Sequence, residues 1–578
     1  MRKNPQSEEG FGAHEARGVA EHHAVMRILK VIHVWPPEGR GGTEAHAAQA
    51  AQALSARGHQ VGVFARTGRP DRPEYEVTTE WLGNIGVTRV NNTYQDSWSF
   101  PWTYKNERVH EAFLGELGEF KPGLVHIHHL TGLSTTIVEA IKSRGIPCVM
   151  TLHDFWTVCP RGQRMMTDLH LCDDIVRDRC FDCLGGMWPH MFHSRGEHPT
   201  IVDERGELSP QILAEYDRHM AYALNLVDLL VTPSAFHRER MLEARIDPDR
   251  IVSLPHGMDH APFAARHRGP DPVKRIAFIG SVTPVKGVHV LIEAFRAMGR
   301  SDIDLDIFGA MESFHEDTTY GDRIRGMAEG AGNIHFHGEY APADVPGMLE
   351  NVDVLVVPSL WWETFCLTIR EGLLAGLPVV ASDLGAMREA LDGEQDGVFF
   401  RTGDPGDLRE KLERLIDDDQ YRQRFLNRGT SVKSLTDYAE ELEDVYARAV
   451  RLARKRAKGL VVAPSYFPTD APLAKAVAPP EEQPAPPARP TGARGRRASP
   501  SGQVSPEDRE VGEQSAGAGG APVVRKRDLP RARPGARHEV GGAPGKSRTI
   551  VSEGVLPIDR WDVQGPVKTR KVTVTEDS

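Results

Sequence analysis

Two glutamates in one apolar segment have the spacing of a ligand-binding pair. Glu363 and Glu371 lie eight residues apart in VVPSLWWETFCLTIREGLLAGLPVV. A helix predicted across residues 365–375 puts Glu371 about two turns along, near the face of Glu363. A carboxylate can accept hydrogen bonds from two neighbouring hydroxyls at once, so the pair predicts a site for a ribose or a hexose. The alternative, two unrelated surface glutamates, is disfavoured by the flanking apolar runs.

The start of that helix and a lysine in a separate segment form a predicted anion site. The backbone N–H groups of the first turn, near Thr364 and Phe365, are predicted to point into the cleft. Together with the positive end of the helix dipole, they favour binding of an anionic group such as a diphosphate. Lys286 stands just before a helix predicted from Gly287. An ammonium group there can neutralise a leaving diphosphate. A solvated surface lysine is the alternative.

Earlier in the chain, a histidine and a glycine-rich turn are further candidates. His153 lies near the end of an apolar segment at 148–155, where it is predicted to face a cleft, although a structural histidine is the alternative. His128 and His129 are weaker candidates for the acceptor side. The turn GRGGTE lets the backbone approach a ligand closely, so Gly42 is a predicted contact.

Four cysteines fall within a short stretch of the chain. Cys159, Cys172, Cys180 and Cys183 are separated by 13, 8 and 3 residues, and the last pair forms a CxxC motif. Four thiolates in a loop are typical of a tetrahedral structural zinc site, without a catalytic role. A [4Fe–4S] cluster and four free thiols are the alternatives. The long stretch without predicted helices or strands, from about 160 to 210, favours a structural metal site that would hold it together.

These residues must be positioned by strands and helices that alternate in two series. Short apolar, β-branched runs predict the strands, and helical patterns lie between them. The predicted strands cover residues 27–35, 60–65, 124–130, 148–155, 228–234 and 251–257, then 275–281, 304–310, 333–339, 353–359 and 378–383. Alternation of this kind predicts two doubly wound, Rossmann-like α/β domains with a ligand cleft at the carboxyl ends of their strands.

Changes in composition give the predicted boundaries. The predicted segments are a disordered leader (1–25), an acceptor-side domain (26–258, with the cysteine loop at about 159–210), a linker (259–273), a nucleotide-sugar domain (274–435), an amphipathic helix (436–460) and a disordered tail (463–578). The tail is rich in Pro, Ala and Arg and has few large apolar residues, so it cannot offset its ordering entropy. Met26 is an alternative start of the chain.

Bulk properties narrow the class of protein. The 578 residues carry a net charge of −11, which argues against a nucleic-acid binder. No run reaches the roughly 18 apolar residues that span a bilayer, and the first residues lack a secretory signal, so the predicted location is cytoplasmic. Basic clusters in the tail leave open a peripheral contact with anionic lipids at the cytoplasmic membrane face. A merely solvated tail is the alternative.

Over about residues 26–458 the chain resembles glycosyltransferase family 4, which has the two-domain GT-B fold, and its subset with a four-cysteine loop after a His–Asp segment. The resemblance implies that Glu363 contacts the transferred sugar, Glu371 the ribose, and His153 the sugar from the opposite domain. The C-terminal helix is expected to cross back to the first domain. The implied catalytic residues are His153, Lys286 and Glu363, and the implied donor-binding residues are Gly42, Ser281, Lys286, Glu363, Thr364, Phe365, Cys366 and Glu371. Many members carry an arginine where this chain has Ser281.

The predicted reaction is transfer of a hexose from a nucleoside-diphosphate sugar to an unidentified acceptor hydroxyl with retention of configuration. No Asp-x-Asp motif stands in a donor context, so no catalytic metal is expected. The predicted context is polysaccharide, lipid-linked glycan or glycoconjugate biosynthesis. A nucleotide-sugar epimerase, a sugar phosphorylase and a non-catalytic sugar-nucleotide-binding scaffold are the alternatives.

Overall fold

The computed structural model describes residues 24–458, except for 98, 176, 188–191, 196–197, 202–211, 245, 264–266, 312 and 315–316, together with residues 570–571. The chain divides into two compact units, residues 1–469 with 563–578, and residues 470–562. Every described residue belongs to the first unit. Almost all of the predicted leader and tail therefore lies outside the described residues.

A nine-stranded sheet forms the core of the first half. Its strands and helices, with a small separate hairpin (β7 and β8), are β1 (Arg27–Ile32), α1 (Gly42–Ala56), β2 (Gln60–Thr67), β3 (Val77–Leu82), β4 (Ile85–Asn91), α2 (Glu107–Phe120), β5 (Leu124–Ile127), α3 (Ile137–Ser143), β6 (Cys148–Thr151), α4 (Arg177–Met187), β7 (Phe192–Arg195), β8 (His198–Ile201), α5 (Ile212–Leu226), β9 (Leu229–Thr232), α6 (Ala235–Glu243) and β10 (Ile251–Ser253). The strand order is β10-β9-β6-β5-β1-β2-β4-β3, and the two-residue strand Arg570–Lys571 pairs with the β3 edge. In the described part of this sheet, the antiparallel pairs are β3 with β4 and the last strand with β3, and the other neighbouring strands are parallel.

A six-stranded parallel sheet forms the core of the second half. Its elements are β11 (Arg275–Ile279), α7 (Val288–Met298), β12 (Asp304–Phe308), α8 (Tyr320–Ala328), β13 (Ile334–Gly338), α9 (Val345–Met348), β14 (Val354–Val357), α10 (Leu367–Leu374), β15 (Val379–Ser382), α11 (Ala386–Ala390), β16 (Val398–Phe400), α12 (Pro405–Asp417), α13 (Asp419–Gln423) and α14 (Leu435–Ala457). The strand order is β13-β12-β11-β14-β15-β16. Helices bury both faces of each sheet, which is why the central strands are continuous apolar runs.

The last helix, α14, returns to the first sheet as predicted. Ser434 caps its N-terminus by accepting a hydrogen bond from the Asp437 amide. Its apolar stripe packs on the face of the first sheet that α1 also covers. Glu443 of α14 forms an ion pair with Arg57 at 2.6 Å. The predicted architecture, two doubly wound sheets tied by a returning helix, is confirmed.

Strands β3 and β4 and helix α2 lie between β2 and β5 and were not predicted from the sequence. Strand β3 lies near the edge of the sheet and consists mostly of half-exposed residues. Its sequence, VTTEWL, lacks the uninterrupted apolar run that marks a buried parallel strand.

Candidate active site

Glu363 lies in the loop between β14 and α10, where three donors meet on one of its oxygens. Its Oε1 accepts hydrogen bonds from the Nζ of Lys286 at 2.6 Å, the Oγ of Ser359 at 2.8 Å and the Nε1 of Trp361 at 2.9 Å. The residue is only 6% exposed. Among the described residues none donates to Oε2, so the carboxylate is held by one oxygen and can receive a ligand hydroxyl at the other.

Lys286 reaches this carboxylate because of the glycine that follows it. Gly287 has φ +69°, and a Cβ there would lie 2.0 Å from the carbonyl oxygen of Pro358, so no side chain fits. The close approach places the turn Pro284–Lys286 against the end of β14. Burial opposes the charge of Lys286, but the Glu363 carboxylate outweighs it and raises the pKa of the lysine. Lys286 therefore stays cationic at neutral pH.

The helix that carries Glu371 begins later than predicted. Cys366, the residue directly before α10, has φ 63° and ψ 81°. This left-handed conformation is incompatible with a right-handed helix, so the helix cannot begin before Leu367. The predicted start at residue 365 is wrong, because α10 begins at Leu367; Glu371 therefore lies about one turn along this helix rather than two, and Glu363 lies in the preceding loop. The guanidinium of Arg370 closes this corner, since it lies 3.5 Å from the centroid of the Phe365 ring and donates to the carbonyl oxygen of Cys366 at 3.2 Å.

Glu371 is a half-buried carboxylate on α10. No described residue forms a hydrogen bond or an ion pair with its side chain. Burial raises its pKa to about 7. The charge of Glu371 also helps burial to raise the pKa of the nearby Tyr340 hydroxyl. An ionisable group held unpaired in this way is more typical of a binding site than of a structural contact.

His153 brings the first sheet to this loop. It follows β6, and its carbonyl oxygen accepts a hydrogen bond from the Oγ1 of Thr364 at 2.5 Å. Its ring Nε2 lies 3.0 Å from the Nδ1 of His128. Burial holds the pKa of His153 well below its usual value, so the ring is neutral. Two predicted site residues from opposite sheets are therefore in direct contact.

The glycine-rich loop after β1 folds around a carboxylate of its own. Glu44 of α1 forms a 2.7 Å contact with the Nε2 of His33, and it fills the space that Cβ atoms at Gly39 and Gly41 would occupy. Gly42 lies against α10, because a Cβ there would be 3.0 Å from Leu367. The loop thus borders the helix that carries Glu371. Ser281, by contrast, is exposed just after β11.

An aromatic contact that the sequence analysis missed joins the two halves beside Glu363. Trp362 is 5% exposed. The guanidinium groups of Arg164 and Arg240, both from the first half, lie 5.0 and 4.7 Å from the centroid of its ring. The available signal was the Trp361–Trp362 pair directly before Glu363, whose large rings favour a packed interface.

The four cysteines line one small pocket beside α4. In the part of the chain that the structure describes, no three His, Cys, Asp or Glu side chains are arranged to hold a metal ion. Arg161 lines the same pocket and is 7% exposed, and its Nε and Nη1 atoms are buried without a hydrogen-bond partner among the described residues. Burial raises the pKa of the Cys183 thiol that contacts Arg161, so this thiol is neutral and leaves the charge of the guanidinium uncompensated.

Comparison with known proteins decides the family. The model described as Glycosyltransferase Family 4 matches residues 40–175, and the model described as Glycosyl transferases group 1 matches residues 262–432, together more than half of the chain. The chain belongs to glycosyltransferase family 4. The first match contains Gly42 and His153, and the second contains Lys286, Glu363 and Glu371. The predicted resemblance is confirmed for the family, while the cysteine-loop subset stays a prediction.

Two relatives that match over almost their whole length, and a third that matches over half of its length, support the same assignment. An uncharacterized glycosyltransferase of Methanocaldococcus jannaschii is 23% identical over 438 residues, which are 74% of this chain and 99% of that protein. A glycogen synthase of Mycobacterium tuberculosis is 24% identical over 446 residues, 75% of this chain and 95% of the relative. A phosphatidyl-myo-inositol mannosyltransferase of the same species is 30% identical over 200 residues, 32% of this chain and 50% of the relative.

A solved structure shares the fold. The catalytic domain of starch synthase IV from Arabidopsis thaliana matches with a TM-score of 0.50 and 14% identity over 74% of this chain and all of that chain.

With the family shown, the chain is a retaining glycosyltransferase that takes its sugar from a nucleotide-sugar donor. None of the helices among the described residues is long and apolar enough to cross a membrane.

Proposed function

We propose that this enzyme transfers a hexose from a nucleoside-diphosphate hexose to a hydroxyl of a glycan, lipid-linked glycan or glycoconjugate acceptor in the cytoplasm. The observation that carries the proposal is the Lys286–Glu363 ion pair, at 2.6 Å, with Glu371 on the helix that follows and His153 in contact with the neighbouring Thr364. A cation, a hydroxyl-accepting carboxylate and a neutral imidazole at one place suit the diphosphate and the sugar of such a donor.

In this proposal each residue acts on one part of the donor. The free Oε2 of Glu363 accepts a hydrogen bond from the transferred sugar, and Glu371 accepts from the ribose. Lys286 and the Phe365 and Cys366 amides bind the diphosphate, while Gly42 and Ser281 border it. The bond between the anomeric carbon and the β-phosphate oxygen breaks as the acceptor oxygen bonds to the same face of that carbon. The departing phosphate takes the acceptor proton, and Lys286 compensates its charge.

A thermal-shift screen against UDP-, GDP-, dTDP- and ADP-glucose and GDP-mannose tests donor binding, because a ligand of the folded state raises the midpoint. Transfer is then assayed with glycogen and with phosphatidyl-myo-inositol, the acceptors suggested by the names of two relatives. We expect an acceptor-dependent product whose anomeric configuration matches the donor by NMR. Release of free or epimerised sugar without an acceptor would favour an epimerase, and binding without turnover a scaffold.

We propose further that the four cysteines hold one structural zinc ion outside the reaction centre. The support is that Cys159, Cys172, Cys180 and Cys183 share one pocket with the buried, uncompensated guanidinium of Arg161. A zinc ion with four thiolates carries a net charge of −2, which would compensate that cation. The thiols must move closer to bind, since the described residues include no set of three metal ligands at present.

Metal analysis of the purified full chain tests this site. We expect about one zinc per chain, lost by at least half in Cys172→Ser and Cys183→Ser, with a lower Tm. Cys148→Ser, which changes a buried cysteine outside the pocket, is the matched control and should keep its zinc. Visible absorption with bound iron would instead indicate an iron–sulfur cluster, and a metal-free protein with an unchanged Tm would contradict a metal site.

A further inference from the structure

A lysine lies in the middle of the first sheet, where a charged residue is not expected. Lys30 is the fourth of the six residues of β1, pairs in register with His126 of β5, and is 0% exposed. It faces the same side of the sheet as Ile28 and Ile32, the side that α1 and α14 cover. Nothing in the roles assigned above uses this residue, and burial of an unneutralised ammonium group is costly.

Lys30 begins a chain of hydrogen bonds that ends at the candidate site. Its Nζ lies 2.9 Å from the Nε2 of His128, and the Nδ1 of His128 lies 3.0 Å from the Nε2 of His153. All three side chains are at most 8% exposed. The remaining ring nitrogen of His153, Nδ1, has no hydrogen-bond partner among the described residues. The hydrogen-bonded series Lys30–His128–His153 therefore extends from the interior of the sheet to the residue that contacts Thr364.

The donor chemistry of lysine gives this chain a direction. A protonated lysine only donates, whereas a neutral imidazole has one donor and one acceptor nitrogen. The Nε2 of His128 must then accept, so its proton is on Nδ1 and is donated to His153. The Nε2 of His153 accepts in turn, which leaves its proton on Nδ1. If Lys30 loses its proton it can accept, and the opposite order becomes available.

We propose that Lys30 is a positioning residue that acts through His128 to fix the tautomer of His153, so that the Nδ1 of His153 donates a hydrogen bond to the transferred sugar. This inference rests on the proposed function, in which His153 contacts the sugar. The fixed proton makes the ring a preformed donor, which avoids a tautomer change when the ligand binds.

The surroundings of Lys30 make the order sensitive to pH near neutrality. The titratable side chains packed around Lys30 and around the residues that contact it are His46 from α1, His126 and His128 from β5 and its end, His153 after β6, His256 after β10, and Tyr438 and Tyr446 from α14. None of these is a carboxylate. Burial lowers the pKa of Lys30 to about 7 and holds the pKa of His128 well below its usual value. Lys30 is accordingly the member of the chain that titrates in this range, and its charge is lost as pH rises.

Calorimetric titration with a nucleotide sugar and its sugar-free nucleotide tests the inference. The pair is UDP-glucose with UDP, or the corresponding pair selected by the thermal-shift screen. The readout is the ratio of the two Kd values, because Glu371, assigned to the ribose, affects both ligands and cancels. The terminal phosphate of UDP titrates near pH 6, so wild type and variants are compared at each pH from 6 to 9.

At pH 6 we expect Lys30→Met to weaken UDP-glucose about three- to tenfold and to leave UDP unchanged, which corresponds to one hydrogen bond. As pH rises to 9 the wild type should lose this advantage and approach Lys30→Met. Lys30→Arg keeps its charge throughout this range, so it should retain the advantage at pH 9. Tyr446→Phe removes the hydroxyl that lies 2.7 Å from the Nδ1 of His126. This contact is not part of the Lys30–His128–His153 series, so the variant should behave as wild type.

The outcomes separate this inference from the function on which it rests. Failure of every nucleotide to bind the wild type overturns the proposed function, and the inference with it. If UDP-glucose binds, and the ratio of its Kd to that of UDP is the same in wild type and Lys30→Met, the inference alone is overturned. If Lys30→Met does not fold, the comparison of wild type with Lys30→Arg decides, and equal ratios from pH 6 to 9 overturn it.

Discussion

Replacing Lys286 by methionine is expected to lower kcat for transfer about 100- to 1000-fold, the usual loss when one charge-stabilising donor is removed from a reaction centre. The methionine side chain is one atom shorter and lacks the cation that lies 2.6 Å from Glu363. Because the charge on the departing diphosphate grows in the transition state, the loss should fall mainly on kcat rather than on donor Kd. Steady-state kinetics and calorimetry with the donor from the screen measure the two quantities.

Controls separate this effect from a general loss of structure. Lys274→Met changes an exposed lysine just before β11 and should keep wild-type kcat and Tm. Lys286→Arg retains the charge and should recover part of kcat. The double variant with Glu363→Gln should lose less than the two single losses combined, since the two groups are in direct contact. A Lys286→Met enzyme within threefold of wild-type kcat would contradict the role of this lysine.

Replacing Glu371 by glutamine is expected to weaken donor binding about 10- to 100-fold, since hydrogen bonds to a charged acceptor are worth about 1.5–3 kcal/mol. The wild-type carboxyl must be ionised to accept from two hydroxyls, and burial raises its pKa to about 7. Donor affinity in the wild type should therefore fall as pH drops below 7, by up to about tenfold per pH unit. The affinity of Glu371→Gln should lack this component, which calorimetry between pH 5.5 and 8 can measure.

The same substitution should stabilise the protein at neutral pH. The unfolded chain releases this proton near the ordinary glutamate pKa of 4.5, whereas the folded chain retains it until about 7. The contribution of Glu371 to stability is thus present at low pH and is lost as pH rises from about 4.5 to 7. At pH 8 Glu371→Gln should have a higher Tm than wild type, while the exposed Glu410→Gln should match wild type in both Tm and donor affinity. A destabilised variant with unchanged donor affinity would indicate a structural glutamate.

The sequence by itself determined the two-sheet architecture and the returning helix. Buried parallel strands must be apolar on both faces, so runs such as those of β1, β11 and β14 identify themselves locally. The stripe that packs α14 on the first sheet is equally local, because it repeats with the helical period. The edge strand β3 was overlooked, since an exposed edge does not require such a run.

Only the tertiary structure decided which chemical groups meet. The start of α10 depends on the left-handed backbone of Cys366, which no residue type at that position indicates. Lys286 and Glu363 are 77 residues apart in the chain, and their contact depends on the packing of Gly287 against Pro358. Lys30 and His128 are 98 residues apart in the chain. Side-chain type and spacing specify which strands and helices form, whereas hydrogen bonds between distant residues exist only after those elements have packed.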